Sequence, residues 1–339
     1  MAAPAETQSF FPNVQRLLRR IIPLICIGVL ANLAFSWYAY GRGQEAGWSH
    51  FSAGYLMVAA LLALLPWFWH ILRLLIWGKF FGVPVSWKNA LRTVVATDVG
   101  GSLAPQAIGG APVKIAMLVE QGFTTGQATS LTLMNSVEEV VFFGLLIPTT
   151  LVLTRSWTNP LWTHFTGFLK NNVWLAPALL ILFVAPLLLL KISARVRRTA
   201  RRLFGRWKHL EADFRQAARL IRQNGRKPFL FSMLALSAQW ATRFAILVAV
   251  LLALGIADHL GRMFWLQWMV FVAMVFVPTP GATGGAEAAF LLVFGRLIPE
   301  TLLGPAMAGW RFMTYYFMLL IGVGVLWILQ KKSGGNPVT

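Results

Sequence analysis

Long apolar segments alternate with short charged segments along most of the chain. A helix needs about 20 residues to cross the roughly 30 Å hydrocarbon core of a bilayer, so uncharged runs of that length predict membrane spans. None of these runs shows the alternation of period two that a membrane β-barrel requires. The pattern therefore predicts an all-α polytopic membrane protein with six full spans. The predicted spans are residues 21–40, 51–72, 127–153, 173–190, 229–254 and 306–330.

The N-terminal apolar run follows Arg16, Arg19 and Arg20, an arrangement shared by cleaved signal peptides and first membrane spans. Because the apolar character continues to Tyr40, past the usual length of a signal peptide core, a membrane span is favoured. The single cysteine, Cys26, lies within this run, so no intrachain disulfide is expected.

Two further apolar regions are too short to cross the bilayer, and both surround the same motif. PQAIGGA occupies residues 105–111 and PGATGGA occupies 280–286. Limbs of about 12 to 14 residues reach only about 18 to 21 Å, so each region is predicted to be a re-entrant helical hairpin, at 94–121 and 263–297. The alternative is that each hairpin makes two full crossings.

The two motifs lie 175 positions apart, about half the chain length. Each half then contains three crossings and one hairpin, and an odd number of crossings starts the second half on the opposite membrane face. The single membrane domain, 1–339, is therefore predicted to contain two inverted-topology repeats, 14–153 and 173–330. Chance recurrence of small residues is the competing explanation, since these are common in membrane helices.

The net charge of +19 is placed unevenly, because thirteen of the thirty Lys and Arg lie between Lys191 and Lys227. By the positive-inside rule, 191–228 is predicted to be a cytoplasmic loop, and 73–92 is predicted to be a second cytoplasmic connection. The expected location is the inner membrane of a prokaryote, with both termini in the cytoplasm. The stretch 196–222 is either an amphipathic helix on an anionic leaflet or a solvated loop. This placement argues against nucleic acid as a partner.

Six ionisable residues fall within the predicted membrane segments: Asp98, Glu138, Glu139, Arg243, Glu287 and Arg311. At about 3 kcal/mol each near the bilayer centre, facing lipid would cost roughly 18 kcal/mol, more than the usual net stability of about 5 to 15 kcal/mol. Either a structural ion-pair network or a polar cavity for a headgroup or ion must hold them. Lys114 and Glu287 follow the two motifs, where helix starts favour anions.

Catalytic motifs are absent from the sequence, since it contains no P-loop, GxGxxG or GxSxG, and the five histidines show no metal-ligand spacing. No cofactor, metal or enzymatic activity is therefore expected.

PTPGATGGAE, residues 278–287, resembles the Pro-x-Pro-Gly-Gly-x-Gly-x-x-Glu segment of the lysylphosphatidylglycerol synthase transmembrane (flippase-like) family, which includes the membrane portion of the multiple peptide resistance factor. APQAIGGAPVK at 104–114 is similar to the family's other signature, and SVEEV at 136–140 and GWRF at 309–312 fall where the family carries polar residues in membrane helices. Three residues depart from the family pattern: Ala282 replaces a usual glycine, Lys114 a usual arginine, and Glu139 an expected basic residue. The resemblance implies a central cavity that handles lipid. The predicted substrate-binding residues are Asp98, Pro105, Gly109, Gly110, Lys114, Glu138, Arg243, Pro280, Gly281, Gly284, Glu287 and Arg311.

The predicted function is a flippase that moves a phospholipid or a polyprenyl-phosphate-linked lipid between leaflets, with a homodimer as a candidate assembly. The alternative is an ion-coupled carrier of a small charged solute that uses Glu138 and Glu287 as titrating sites. A lipid transferase is a third class, but the sequence lacks an evident nucleophile or metal site. Because no soluble aminoacyl-transfer domain follows Lys332, synthesis of a lysyl lipid is not expected.

Overall fold

The computed structural model describes residues 51–103, 110–154 and 207–333 apart from 278 and 280, and every element within them is helical. The predicted spans 21–40 and 173–190 lie outside these residues. The helices are α1 (Ala53–Phe80), α2 (Trp87–Leu103), α3 (Gly110–Glu120), α4 (Thr125–Thr154), α5 (Trp207–Asn224), α6 (Arg226–Ala253), α7 (Leu260–Val275), α8 (Gly285–Phe294), α9 (Glu300–Arg311), a π-helical segment (Phe312–Tyr316) and α10 (Phe317–Ser333).

Four of the described helices are long and apolar enough to cross a membrane: Ala53–Phe80, Thr125–Thr154, Arg226–Ala253 and Glu300–Leu329. They overlap with the predicted spans 51–72, 127–153, 229–254 and 306–330, so the all-α membrane class is confirmed for this part of the chain. The last of them contains the π-helical segment, which the hydropathy pattern did not predict.

The predicted end of the second span requires a correction. Helix α1 continues to Phe80, and the side chain of Arg73 is only 1% exposed, so Arg73 does not begin a cytoplasmic connection. Its guanidinium donates hydrogen bonds to Ser232 Oγ at 3.4 Å and Gln239 Oε1 at 3.2 Å. These acceptors on α6 lower the free-energy cost of burying the Arg73 charge. The positive-inside rule does not consider such hydrogen bonds.

The chain forms two compact units, 123–227 and the remainder of the chain. Within the first of these, α4 packs against α5. Helix α5 covers most of the predicted amphipathic stretch 196–222, and Arg215, Arg219 and Arg222 are exposed on it. Its predicted contact with an anionic leaflet stays a prediction.

In the larger unit, α1 and α6 lie antiparallel along their length. The backbone N–H of Ser52 donates to the Ala253 carbonyl at 2.9 Å, whereas near the other end Trp77 Nε1 donates to Ser232 Oγ at 3.2 Å. Between these points, Ala59 and Ala63 pack against apolar residues of α6. The segments that follow the two helices therefore start at opposite ends of this pair.

Those segments are two helical hairpins. In the first hairpin, α2 packs against α3. Arg92 Nη2, near the start of α2, lies 3.7 Å from Glu120 Oε2 at the end of α3. In the second hairpin, α7 packs against α8. Helix α3 has 11 residues and α8 has 10, so they reach only about 17 and 15 Å at about 1.5 Å per residue. Neither of these two helices can cross a bilayer alone. The first limbs, α2 and α7, have 17 and 16 residues and are longer than the predicted length of about 12 to 14 residues. Re-entry into the membrane stays a prediction.

Both hairpins use a glycine at the start of the second limb to bring their limbs close together. A Cβ on Gly110 would lie 3.2 Å from the Thr97 carbonyl oxygen, and one on Gly285 would lie 2.2 Å from Val277 Cγ2. Gly110 and Gly285 are 175 positions apart, as are the first residues of α4 and α9, Thr125 and Glu300. The helix boundaries thus repeat with the spacing of the sequence motifs.

Candidate functional site at the helix breaks

The break between α7 and α8 is a sharp turn with several residues in the left-handed region. Gly281 has a φ of 60°, Ala282 of 54° and Gly284 of 86°. Glycine adopts these angles without steric cost, whereas the left-handed conformation costs an L-residue such as Ala282 about 1 to 2 kcal/mol. The Ala282 methyl is fully buried in an apolar cluster with Phe290 and Trp310, which offsets part of that cost.

Glu287 stabilises the start of α8. Its Oε2 accepts a hydrogen bond from the backbone N–H of Gly284 at 2.7 Å, which is the carboxylate half of a capping box. The position also places a negative charge at the positive end of the helix dipole, as the sequence indicates. Glu287 therefore fixes the direction in which the chain leaves the turn.

Arg311, at the end of α9, binds both sides of this turn. Its Nε lies 3.0 Å from Glu287 Oε1, and its Nη2 donates to the Gly281 carbonyl. Arg311 is 1% exposed and Glu287 is 7% exposed, so the ion pair is buried. A buried pair of this kind is expected to fix the turn to α9, because either charge alone would be costly in an apolar surrounding.

Tyr315 connects the two hairpins. It belongs to the π-helical segment directly after Arg311, whose guanidinium carbon lies 4.6 Å from the centre of its ring. A Cβ on Gly281 would lie 2.4 Å from the same ring, so the ring packs directly on the backbone of the second break. Its hydroxyl donates to the Ser102 carbonyl at 3.1 Å, in the last turn of α2. The end of the first limb of one hairpin and the turn of the other therefore contact the same tyrosine.

A second group of polar residues, the basic cluster, consists of His70, Arg73, Lys114 and Arg243 with Asp98. Lys114 Nζ lies 3.1 Å from His70 Nε2, and Asp98 Oδ2 accepts a hydrogen bond from Trp67 Nε1 at 2.8 Å. Lys114 and Arg243 both interact electrostatically with His70 and with Asp98. Arg243 also lies over the Trp240 ring, 5.4 Å from its centroid.

Basic side chains dominate the cluster, since Arg73, Lys114 and Arg243 lie with one carboxylate among these described residues. Guanidinium and ammonium groups bind phosphate and carboxylate oxygens through short, charge-assisted hydrogen bonds. In the part of the chain that the structure describes, no group of three His, Cys, Asp or Glu could hold a metal ion. The cluster suits an anion.

The family model described as the lysylphosphatidylglycerol synthase TM region matches residues 21–322 of this sequence. The chain belongs to this family. It is also similar to a UPF0104 membrane protein of Archaeoglobus fulgidus, with 23% identity over 326 residues that cover 91% of this chain and 98% of the relative.

In this member of the lysylphosphatidylglycerol synthase TM family, the predicted site residues fall into separate groups. Gly281, Gly284, Glu287 and Arg311 meet at the second break. Asp98, Lys114 and Arg243 meet in the basic cluster, and Gly110 begins α3. Pro105, Gly109 and Pro280 lie outside the described residues.

Glu138 belongs to the smaller unit and is described by itself. It is fully buried on α4, whereas the adjacent Glu139 is exposed, as expected for neighbours on a helix. Its predicted role in binding substrate stays a prediction.

Sequence reasoning missed His70, Arg73 and Tyr315. The histidine was set aside because the five histidines show no metal-ligand spacing, and Arg73 was assigned to a connection. One signal was available: His70 and Arg73 are three residues apart on an apolar helix, so both lie on one side of it. No comparable signal marks Tyr315, because its position depends on the π-helical segment.

Replacing Tyr315 with phenylalanine tests the connection between the hairpins. The ring and its packing on Gly281 remain, but the hydrogen bond to Ser102 is lost, so we expect a loss of about 1 kcal/mol in stability. The midpoint of thermal unfolding in detergent measures this change. Tyr55→Phe, at an exposed position of α1, is the control and should leave the midpoint unchanged. An equal shift of the midpoint in both variants would contradict a stabilising hydrogen bond between Tyr315 and Ser102.

Proposed function

We propose that this protein transports lipid, moving a phospholipid or a polyprenyl-phosphate-linked lipid between the leaflets of the cytoplasmic membrane. The observation that carries the proposal is the contact of Tyr315 with both hairpins, through the Ser102 carbonyl in α2 and the Gly281 backbone before α8. These hairpins start at opposite ends of the α1–α6 pair. Hairpins entering from opposite membrane faces would bring irregular backbone to the bilayer interior, where it is tolerated only beside protein or a polar cavity.

The basic cluster is the proposed binding site for the headgroup. Arg73 and Lys114 are 1% and 5% exposed, and Arg243 is half-buried, so their charges are held away from bulk water. Electrostatic attraction to a phosphate is stronger there than at an exposed surface. The acyl chains would stay in the bilayer, against the apolar outer faces of the helices. In this proposal the protein moves lipid and catalyses no covalent change.

The Glu287–Arg311 pair has a different role in the proposal. Each oxygen of the Glu287 carboxylate has a partner in the protein, Gly284 N–H in the turn or Arg311 Nε at the end of α9. These contacts support a structural role that holds the second break in place. The family resemblance suggests headgroup contact at these positions, and the proposal assigns that contact to the basic cluster.

An ion-coupled carrier of a small charged solute is the second candidate. The burial of the Glu138 carboxylate favours it, because buried carboxylates in membrane helices often carry protons or bind cations. The contacts of Glu287 count against its use as the other titrating site. Solute uptake driven by a pH or sodium gradient, without lipid movement, would support this candidate over the first.

Substitution of Lys114 by glutamine tests the lipid proposal. Loss of a charge-assisted contact of about 1.5 to 3 kcal/mol is expected to reduce transport of phosphatidylglycerol about 10- to 100-fold. The measurement is transbilayer movement of fluorescent phosphatidylglycerol in liposomes that contain the purified protein. Lys88→Gln, at an exposed position of α2, is the matched control and should retain the rate. Movement no faster than in protein-free liposomes, for several headgroups, would refute the proposal.

A further inference from the structure

The contact between Lys114 and His70 restricts the protonation state of the histidine. Lys114 Nζ lies 3.1 Å from His70 Nε2. A charged lysine has three donors and no acceptor, so Nε2 must supply a lone pair to the hydrogen bond. The imidazole is therefore neutral and carries its proton on Nδ1 while it binds the charged Lys114.

The other charged groups around His70 also oppose a positive charge on it. Arg73 acts from its own helix, Lys114 from α3 and Arg243 from α6. Asp98 of α2 interacts electrostatically with Lys114 and Arg243, and it accepts a hydrogen bond from Trp67 Nε1. The ionisable residues of the π-helical segment, Tyr315 and Tyr316, interact with Arg311 and Glu287 instead. His70 is thus a titratable side chain facing three basic side chains.

An anion bound in the basic cluster would reverse two effects on His70: the hydrogen bond from Lys114 that occupies Nε2, and the excess of positive charge around the imidazole. A phosphate oxygen that takes hydrogen bonds from Lys114 draws the ammonium away from His70, which frees the Nε2 lone pair. The anion also adds a negative charge beside the imidazole, and such a charge favours the imidazolium. By thermodynamic linkage, a bound proton on His70 must strengthen anion binding by the same factor.

We propose that His70 is a proton-binding site coupled to the headgroup site. A proton from water adds to Nε2 when an anionic headgroup engages Lys114, and it returns to water when the headgroup leaves. This inference rests on the proposed lipid transport. It names the substrate class as a lipid whose headgroup carries net negative charge, since a zwitterionic headgroup adds no net charge. The proton and the anion would move together, which lowers the net charge carried through the membrane.

The test compares His70→Gln with wild type in liposomes between about pH 5.5 and about pH 8, with fluorescent phosphatidylglycerol as the probe. Glutamine can still accept a hydrogen bond from Lys114 but does not titrate. The wild-type transport rate is expected to fall about tenfold per pH unit above the midpoint of its pH profile, because that is the slope for the loss of one proton. The rate of His70→Gln should not depend on pH. His259→Asn is the control, because His259 is exposed with a φ of 56°, which asparagine tolerates, and it should keep the wild-type profile.

A second readout uses wild-type protein and does not depend on the folding of a variant. Liposomes with a trapped pH indicator should show proton movement when phosphatidylglycerol is transported. They should show none with phosphatidylcholine alone. Lipid movement that is independent of pH, or a His70→Gln profile equal to the wild-type profile, would overturn the proton inference and leave lipid transport standing. No lipid movement at any pH would overturn both.

Discussion

Gly281→Ala is expected to disrupt the second hairpin and abolish transport. The new Cβ would lie 2.4 Å from the Tyr315 ring, and the φ of 60° at this position is unfavourable for alanine. The left-handed conformation costs about 1 to 2 kcal/mol and overpacking about 1 to 3 kcal/mol, so a loss of about 2 to 5 kcal/mol is expected. Thermal unfolding in detergent measures the stability, and the liposome assay measures transport.

Gly324→Ala is the matched control for this substitution. Gly324 lies in α10, and a Cβ there would have no neighbour within 4 Å. Alanine is favoured over glycine in a helix by about 1 kcal/mol, so this variant should be as stable as the wild type or more stable. Equal stability of Gly281→Ala and Gly324→Ala would contradict the close packing of the Tyr315 ring on the backbone of Gly281.

Glu287→Gln is expected to have a comparably large effect, because it leaves the buried Arg311 without its carboxylate. Removing one partner of a buried ion pair typically costs about 3 to 5 kcal/mol, a large share of a net stability of about 5 to 15 kcal/mol. The midpoint of thermal unfolding should fall accordingly. Glu300→Gln is the control, since Glu300 is an exposed acid at the start of α9 and its charge is screened by solvent.

A charge exchange, Glu287→Arg with Arg311→Glu, distinguishes the capping role of these residues from simple attraction. The exchanged pair would retain opposite charges. However, a carboxylate would then face the Gly281 carbonyl, and a guanidinium would face the Gly284 N–H. The double variant is therefore expected to remain destabilised. Recovery of wild-type stability would show that only the mutual attraction of the two charges matters.

Much of the helical architecture could be predicted because hydropathy and helix breakers act locally. The predicted spans 51–72 and 229–254 overlap almost completely with the helices Ala53–Phe80 and Arg226–Ala253, although the first of these helices continues eight residues past the predicted end. The hairpins were located from the Pro-Gly motifs, and Gly110 and Gly285 begin the second limbs. The position of Glu287 at a helix start also followed from local sequence.

Residue pairing across the fold could not be predicted in this way. Arg73 and Gln239 are far apart in sequence and meet only because α1 and α6 are antiparallel. Similarly, Glu287 and Arg311 were both identified as intramembrane charges, but their mutual contact depends on how α8 and α9 pack. Tyr315 owes its position to a π-helical segment, whose extra residue per turn changes which side chains face the hairpins.

The depth of the two helix breaks in a bilayer tests the account most directly. In a Cys26→Ser background, a single cysteine would replace Ser102, Thr283 or, as the reference position, Lys88, and would carry a fluorescent label. Quenching of the label would then be measured with lipids that are spin-labelled either near the headgroup or near the chain end. We expect labels at Ser102 and Thr283 to be quenched more strongly by the chain-end lipid, and the label at Lys88 by the headgroup lipid. Headgroup-level quenching at either break would contradict a lipid-handling site formed by the two hairpins within the membrane.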